Sequence, residues 1–199
     1  MNESDKMKVV IIDYGAGNVF SVQTAMKRLG YDAVVSGDIG KIGEADRVIF
    51  PGVGQASAAM RQLKASGLDR VIPRLEMPVL GVCLGMQLMC ATTEEENTDG
   101  LGIFPMQVKK ITGECKIPHM GWNNIYDLKT DLFRGIKPGE RMYFVHSYHV
   151  PDNEYCIARC DYHQPFAAAI RKDNFYGCQF HPEKSSAMGE LVLKNFMEL

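Results

Sequence analysis

The chain predicts an α/β domain with a mainly parallel central sheet covered by helices on both faces, extended by antiparallel strands in its C-terminal half. Three observations lead there. Short apolar runs, KVVIID (8–13), DAVVS (32–36), RVIF (47–50) and PVLGV (78–82), recur through the first half. Stretches with helical spacing separate them, and strands that alternate with helices imply right-handed crossovers and parallel pairing. The second half changes character, with strand-like runs near 105–111, 142–149, 155–160, 166–171 and 175–181 and little helix between them.

The elements follow in order. KVVIID ends at a glycine-containing turn, and Val22, Ala25, Met26 and Leu29 then recur at the spacing of one helix face, closed by Gly30. DAVVS and RVIF read as short buried strands, 56–66 as a helix, PVLGV as a strand and 85–92 as the helix after it. RKDNFYG places a hairpin turn at Asp173-Asn174. Met188, Leu191, Val192 and Phe196 share one face of a closing helix. Residues 1–7 are expected to be a flexible N-terminal segment and 8–199 a single domain, without linker or repeat.

Composition excludes several function classes. At 199 residues the chain can bury roughly 70% of its unfolded surface, so it needs no disulfide or metal to hold a core. A net charge of −2 with no basic block gives no footprint for nucleic acid. MNESDK lacks the apolar stretch of a secretory signal, and no run approaches the roughly 18 apolar residues of a membrane span. The cysteines at 83, 90, 115, 156, 160 and 178 form no C-x-x-C pair and read as reduced thiols of a cytoplasmic protein. Cys156 and Cys160 have no histidines at ligand spacing, so no metal is expected. DYGAGNVF has Phe20 where the third glycine of a dinucleotide fingerprint would stand, and no cofactor is expected either.

One turn carries chemistry. Gly81-Val82-Cys83-Leu84-Gly85 has the G-x-nucleophile-x-G form in which a strand turns sharply into a helix and presents a strained nucleophile. The helix N-terminus favours the anions formed there, with the Leu84 N–H as a natural donor. A thiol nucleophile needs a base. In GCQFHPEKSS, strand alternation places His181 and Glu183 on one face, so the carboxylate can fix the imidazole tautomer while the other ring nitrogen handles the thiol proton. FPGVGQ (50–55) follows a buried strand, where Gly52 and Val53 can aim a backbone N–H at a developing oxyanion.

Together PGVG, GVCLGMQ and HPE, in that order and spacing, resemble the triad-type glutamine amidotransferases from about residue 8 onward. The resemblance implies a Cys83-His181-Glu183 glutaminase, with glutamine held by Gln87, Glu95 and the backbone of Ser147 and Tyr148 in VHSYH. IDYGAGN (12–18), Met86, IPHMGWNN (117–124), YFVHSYH (143–149) and HPEKSS (181–186) resemble the branch that passes ammonia to a separate (β/α)₈-barrel cyclase subunit in histidine biosynthesis. That branch implies a heterodimer, with Asn18, Trp122, Tyr143 and Lys184 at the partner interface, and a PGVG loop aligned only when the partner is liganded. The competing readings are a glutaminase serving an anthranilate, purine or pyridoxal phosphate synthase, and a redox or binding protein using Cys83; the HPE segment argues against the latter.

Overall fold

The structure, a computed structural model, describes residues 7–15 and 18–199. β1 (Val9–Ile12) is four apolar residues buried without alternation, as a strand covered on both faces requires. Its side chains sort the core into two layers. Val9 and Ile11 pack on one side with Val22, Ala25 and Met26 of α1 (Val19–Arg28), while Val10 and Ile12 pack on the other. β2 (Ala33–Ser36) leads to α2 (Ile39–Gly43), whose N-terminus is capped by the Asp38 side chain accepting from the Lys41 N–H at 2.9 Å. β3 (Arg47–Gly52) feeds α3 (Ala56–Ser66), which covers the second layer with Ala59, Met60 and Leu63 and stops at Gly67, φ +76°. The short α4 (Leu68–Val71) precedes β4 (Val79–Cys83) and α5 (Leu84–Leu88).

Beyond α5 the chain builds smaller sheets around the C-terminal ends of these strands. They comprise β5 (Cys90–Thr93), β6 (Thr98–Asp99), β7 (Phe104–Lys110), β8 (His119–Asn124), β9 (Arg141–His146) and β10 (Tyr148–His149). β11 (Cys156–Tyr162), β12 (Gln164–Lys172) and β13 (Phe175–Cys178) return to the central sheet, and α6 (Ser186–Met197) closes it. The central order is β2-β1-β3-β4-β13-β12-β11, parallel from β2 to β13 and antiparallel beyond. β10-β7-β5-β6 and β8-β9 form separate sheets.

The expected architecture holds, with local differences. β2 is an edge strand, and Val34 is 49% exposed rather than buried. The expected helix 85–92 ends at Leu88, because the β-branched Thr92 and Thr93 pair with Asp99 and Thr98 of β6 and with Gln107 and Val108 of β7. The run 142–149 breaks at Ser147, where the chain leaves β8 as its partner for β7. The strand near 175–181 stops at Cys178. His119–Asn124 was not expected to be a strand; its pairing with β9 supplies what its own pattern does not. Of the proposed flexible segment 1–7, only Met7 lies within the described residues, and it packs against the core.

The approach of α5 to β3 requires glycine. A Cβ on Gly85 would overlap the Phe50 carbonyl oxygen, one on Gly52 would stand 2.7 Å from the Gly85 nitrogen, and one on Gly81 would stand 2.9 Å from the Met86 nitrogen. Gly85→Ala is expected to lower the urea midpoint by the equivalent of roughly 1–3 kcal/mol or more, because the obstacle is backbone and cannot step aside. Gly43→Ala, with open space around the new methyl group, is expected to leave the midpoint unchanged or raise it slightly.

Candidate active site

Cys83 is the last residue of β4 and adopts φ +53°, ψ −111°, a conformation that costs a non-glycine residue about 1–3 kcal/mol. Parallel neighbours on both sides of β4 impose it: Gly52 is the register partner of Cys83 on β3, and Cys178 that of Val82 on β13. The residue is 7% exposed, and its sulfur lies 3.8 Å from the Val145 carbonyl oxygen and 3.6 Å from Gln179 Nε2. All six cysteines are free thiols. Burial pushes the thiols of Cys90 and Cys160 up to about 12 and that of Cys156 up to about 11, as expected of inert core residues.

His181 follows β13 in an extended conformation, and a single 3-10 turn, Pro182–Lys184, starts immediately after it. Its position is fixed through the backbone. The His181 N–H donates to the Tyr143 carbonyl at 2.9 Å, and its own carbonyl accepts from the Ser185 hydroxyl at 2.6 Å. Nδ1 lies 2.8 Å from Glu183 Oε1, with both side chains at most 2% exposed. The contact expected from strand alternation is therefore present, but the 3-10 turn at Pro182 brings it about. Among the described residues His181 Nε2 and Glu183 Oε2 have no hydrogen-bonding partner. Burial alone would lower the imidazole's pKa; the Cys83 sulfur and the Glu183 carboxylate override it and hold the group up at about 9. The Glu183 contact engages Nδ1 and leaves Nε2 as the ring nitrogen without a hydrogen-bonding partner among the described residues.

These groups open onto a cleft of about 350 Å³ lined by Val53, Gly54, Cys83, Leu84, Gln87, Glu95, Pro118, Val145, His146, Ser147, Tyr148 and His181. Of the residues singled out from sequence, Val53, Leu84, Gln87, Glu95, Ser147 and Tyr148 stand in this wall with Cys83 and His181. Gly52, Asn18 and Glu183 border an adjoining recess shared with Val53 and His181. The three consecutive glutamates separate by partner. Glu94 pairs with Lys109 and accepts from the Lys110 N–H, Glu96 accepts from Gln55 and Ser57, and Glu95 lines the cleft while its Oε2 accepts from the Ala56 N–H at 2.8 Å.

Sequence reasoning missed one buried polar group. Gln179 is wholly buried and lies between Gln87 and Cys83. A histidine pair braces the opposite wall: His146 Nδ1 is 2.9 Å from the Tyr148 carbonyl oxygen, His119 Nδ1 is 2.9 Å from His146 Nε2, and Asn123 Nδ2 is 3.2 Å from His119 Nε2. The Tyr148 and Asp161 carbonyls can only accept, and Asn123 Nδ2 is 2.9 Å from the Asp161 carbonyl oxygen, so Asn123 donates to His119 Nε2 and each imidazole donates from Nδ1 and accepts at Nε2, which requires both to be neutral. Burial agrees, lowering His146 to about 3 and His119 to about 4.

Trp122 is 49% exposed and meets its register partner Tyr143 edge-on, with ring centroids 6.0 Å apart. Tyr143 is half-buried and Lys184 exposed. The two join Trp122 around the turn that carries His181, since the Tyr143 N–H donates to the Ser185 hydroxyl.

Residues 10–199 match the family description "Glutamine amidotransferase class-I". The chain belongs to this family. Among class-I relatives, it is 56% identical over 97% of its length to the whole of "Imidazole glycerol phosphate synthase subunit HisH" of Bacteroides fragilis (strain YCH46). Proteins of the same name match over the same share of this chain and all of their own, at 52% identity in Bacteroides thetaiotaomicron and 49% in Escherichia coli (strain K12). A crystal structure of a glutamine amidotransferase superposes with TM-score 0.75 at 17% identity, covering 95% of this chain and 97% of that one. PurLQS from Thermotoga maritima superposes with TM-score 0.73 at 17% identity, covering 97% and 98%. Both share the amidotransferase fold. No helix among the described residues is long and apolar enough to cross a membrane.

Two measurements test the electrostatics. In Cys83→Ala the His181 titration midpoint, read from its ring-proton NMR signal, is expected to fall well below about 9, because one of the two groups that raise it is gone. Stability is expected to peak near pH 6.5. His119 and His146, neutral when folded, favour folding above the unfolded value of about 6.5 and lose that contribution as pH falls toward 4 and 3. His181, raised when folded, contributes fully below about 6.5 and loses its contribution as pH rises through about 9. Urea midpoints taken from pH 5 to 9 would be flat on the acid side if the histidine pair were charged in the fold.

Proposed function

We propose that this chain is the glutaminase subunit of imidazole glycerol phosphate synthase, hydrolysing glutamine to glutamate and ammonia in histidine biosynthesis. One observation carries the reading: a strained Cys83 and a His181 backed by the buried Glu183 carboxylate share one cleft, in a chain whose relatives along its whole length are synthase subunits of that name. The cleft volume suits a single amino acid.

The chemistry follows from the groups present. The Cys83 thiolate attacks the side-chain carboxamide of glutamine; a C–S bond forms and the carbonyl electrons move onto oxygen. Backbone N–H groups of Leu84 and of the Gly52-Val53 loop receive that oxyanion. His181 Nε2–H gives its proton to the departing nitrogen, so that ammonia leaves and a glutamyl thioester remains. Water then attacks the thioester, His181 takes the water proton, and glutamate departs as the thiolate re-forms. Glu183 holds the ring in orientation and offsets its charge. Glu95 offers a carboxylate to the substrate's ammonium group, and Gln87 with the Ser147-Tyr148 backbone frames the rest.

Ammonia in neutral water is mostly protonated and no longer nucleophilic, so a synthase must receive it directly. We place a (β/α)₈-barrel cyclase subunit, in a one-to-one heterodimer, against the face bearing Asn18, Trp122, Tyr143 and Lys184. There ammonia and a phosphorylated ribulosyl aminoimidazole nucleotide become imidazole glycerol phosphate and aminoimidazole carboxamide ribotide. Free thiols throughout suit a cytoplasmic enzyme.

Glutamate release should be measured for the chain alone and mixed with a cyclase barrel subunit carrying its nucleotide. Release is expected chiefly in the liganded mixture, reduced on the order of 10³-fold or more in Cys83→Ala and roughly 10²-fold or more in Glu183→Gln. Release indifferent to the barrel would assign the glutaminase to another synthase, and no release under any condition would overturn the reading.

A further inference from the structure

We propose that Gln179 is a further catalytic residue, whose side-chain amide donates to the Cys83 sulfur and ties the nucleophile to the glutamine pocket through Gln87. This rests on the glutaminase reading above. The argument starts from a backbone carbonyl, because Tyr148 O can only accept. Gln87 Nε2 lies 2.8 Å from it, so this atom of Gln87 is the NH₂ group. The same Nε2 lies 2.9 Å from the Gln179 side chain, which must therefore present Oε1. That leaves Gln179 Nε2 as the atom facing Cys83 Sγ, at 3.6 Å. Both amide orientations are thus set by one fixed acceptor, and the donor ends at the reacting atom.

The energetics favour a role during turnover. Gln179 is wholly buried, and its backbone is held by its N–H donating to the Ala168 carbonyl at 2.8 Å. A buried amide N–H directed at a neutral thiol is poorly satisfied, since sulfur is a weak acceptor. Directed at a thiolate it makes a charge-assisted bond, which is substantially stronger. The placement gains its value when the sulfur is anionic, before attack and again as the thiolate re-forms. The network also spans both partners of the reaction, because Gln87 and Tyr148 line the cleft while Gln179 touches the nucleophile from its buried side. Glutamine seated against Gln87 and Tyr148 is thereby registered to the sulfur.

The test compares Gln179→Met, which keeps length and volume without the donor, with Gln179→Glu, which still accepts from Gln87 but sets a second anion beside the thiolate. Cys83 alkylation by iodoacetamide is followed by peptide mass spectrometry from pH 5 to 9 in the full chain. In Gln179→Met the rate at pH 7 is expected to fall roughly tenfold and the profile to move to higher pH, with Gln179→Glu affected more. In the complex, kcat for glutamine is expected to fall by a similar factor and KM by less. A Gln179→Met profile and kcat superimposable on those of the unsubstituted protein would overturn the proposal. Should the variants fold poorly, the unsubstituted protein decides: the Gln179 side-chain amide NMR signals are expected to shift when Cys83 is carbamidomethylated, and unmoved signals would refute the contact. Alkylation needs no glutamine, so failure of the complex to release glutamate would strike the glutaminase reading, whereas an unchanged alkylation profile strikes Gln179 alone.

Discussion

The close approach of α5 to the Phe50 carbonyl is the constraint on which the site depends. Gly85 lets the first turn of α5 lie against β3, and the same approach sets Cys83 at φ +53° between two parallel neighbours. Three consequences follow from one contact. The sulfur stands at the C-terminal edge of the sheet, Leu84 lines the same cleft, and so do Val53 and Gly54 after Gly52. The Leu84 and Gly52 segments cannot be moved separately, because both are backbone rather than rotatable side chains, and the Cys83 backbone that carries the sulfur is set by the same contact. The strain at Cys83 is carried by the sheet, where burial of β3 and β4 on both faces leaves no room to relax.

The histidines around the cleft show how environment divides one residue type between opposite roles. His181 is buried against a carboxylate and a sulfur, and is driven to the charged form. His146 lines the same cleft, also buried, but its partners are a carbonyl and a second imidazole, and it is driven to the neutral form. His119 lies between the rings of Phe144 and Tyr162, with centroid separations of 4.9 Å and 3.9 Å, where a charge would be poorly solvated. One imidazole therefore favours holding a proton between a carboxylate and a sulfur, while the other two brace the wall that carries Ser147 and Tyr148. The distinction rests on what the second ring nitrogen meets.

How much of this the sequence reveals depends on how local the deciding interaction is. The helix Ala56–Ser66 matches its sequence reading at both ends because its apolar spacing and the glycine after it are written within the segment. The strand Cys90–Thr93 is not, since the partners that make it a strand lie at Thr98–Asp99 and Phe104–Lys110. Cys83, His181 and Glu183 are legible because a nucleophile between glycines and a His-x-Glu segment are short motifs. Glu95 cannot be told from its two neighbours by sequence, because what separates them is the left-handed φ of +53° at Glu96 and the pairing of Glu94 with Lys109. Gln179 is quieter still. A polar residue two positions before a histidine fits strand alternation, and only the fold shows its amide meeting a sulfur 96 positions away. Trp122 could equally have been core, and its exposure is decided by the edge of a two-stranded sheet.

The strand β9 joins the two halves of the proposed enzyme. Its Tyr143 carbonyl holds the His181 backbone, its Val145 carbonyl lies against the Cys83 sulfur, and its last residue, His146, braces the Tyr148 carbonyl that Gln87 also grips. The same strand pairs residue by residue with β8, which exposes Trp122 beside Tyr143. Anything seated on Trp122 and Tyr143 would therefore press on a strand that touches the Cys83 sulfur, the His181 backbone and the Tyr148 carbonyl. β9 pairs with β8 alone and stands outside the seven-stranded sheet, so what ties it to the site is its own backbone: the Tyr143 carbonyl on the His181 N–H, the Tyr143 N–H on the Ser185 hydroxyl and the Val145 carbonyl against the Cys83 sulfur.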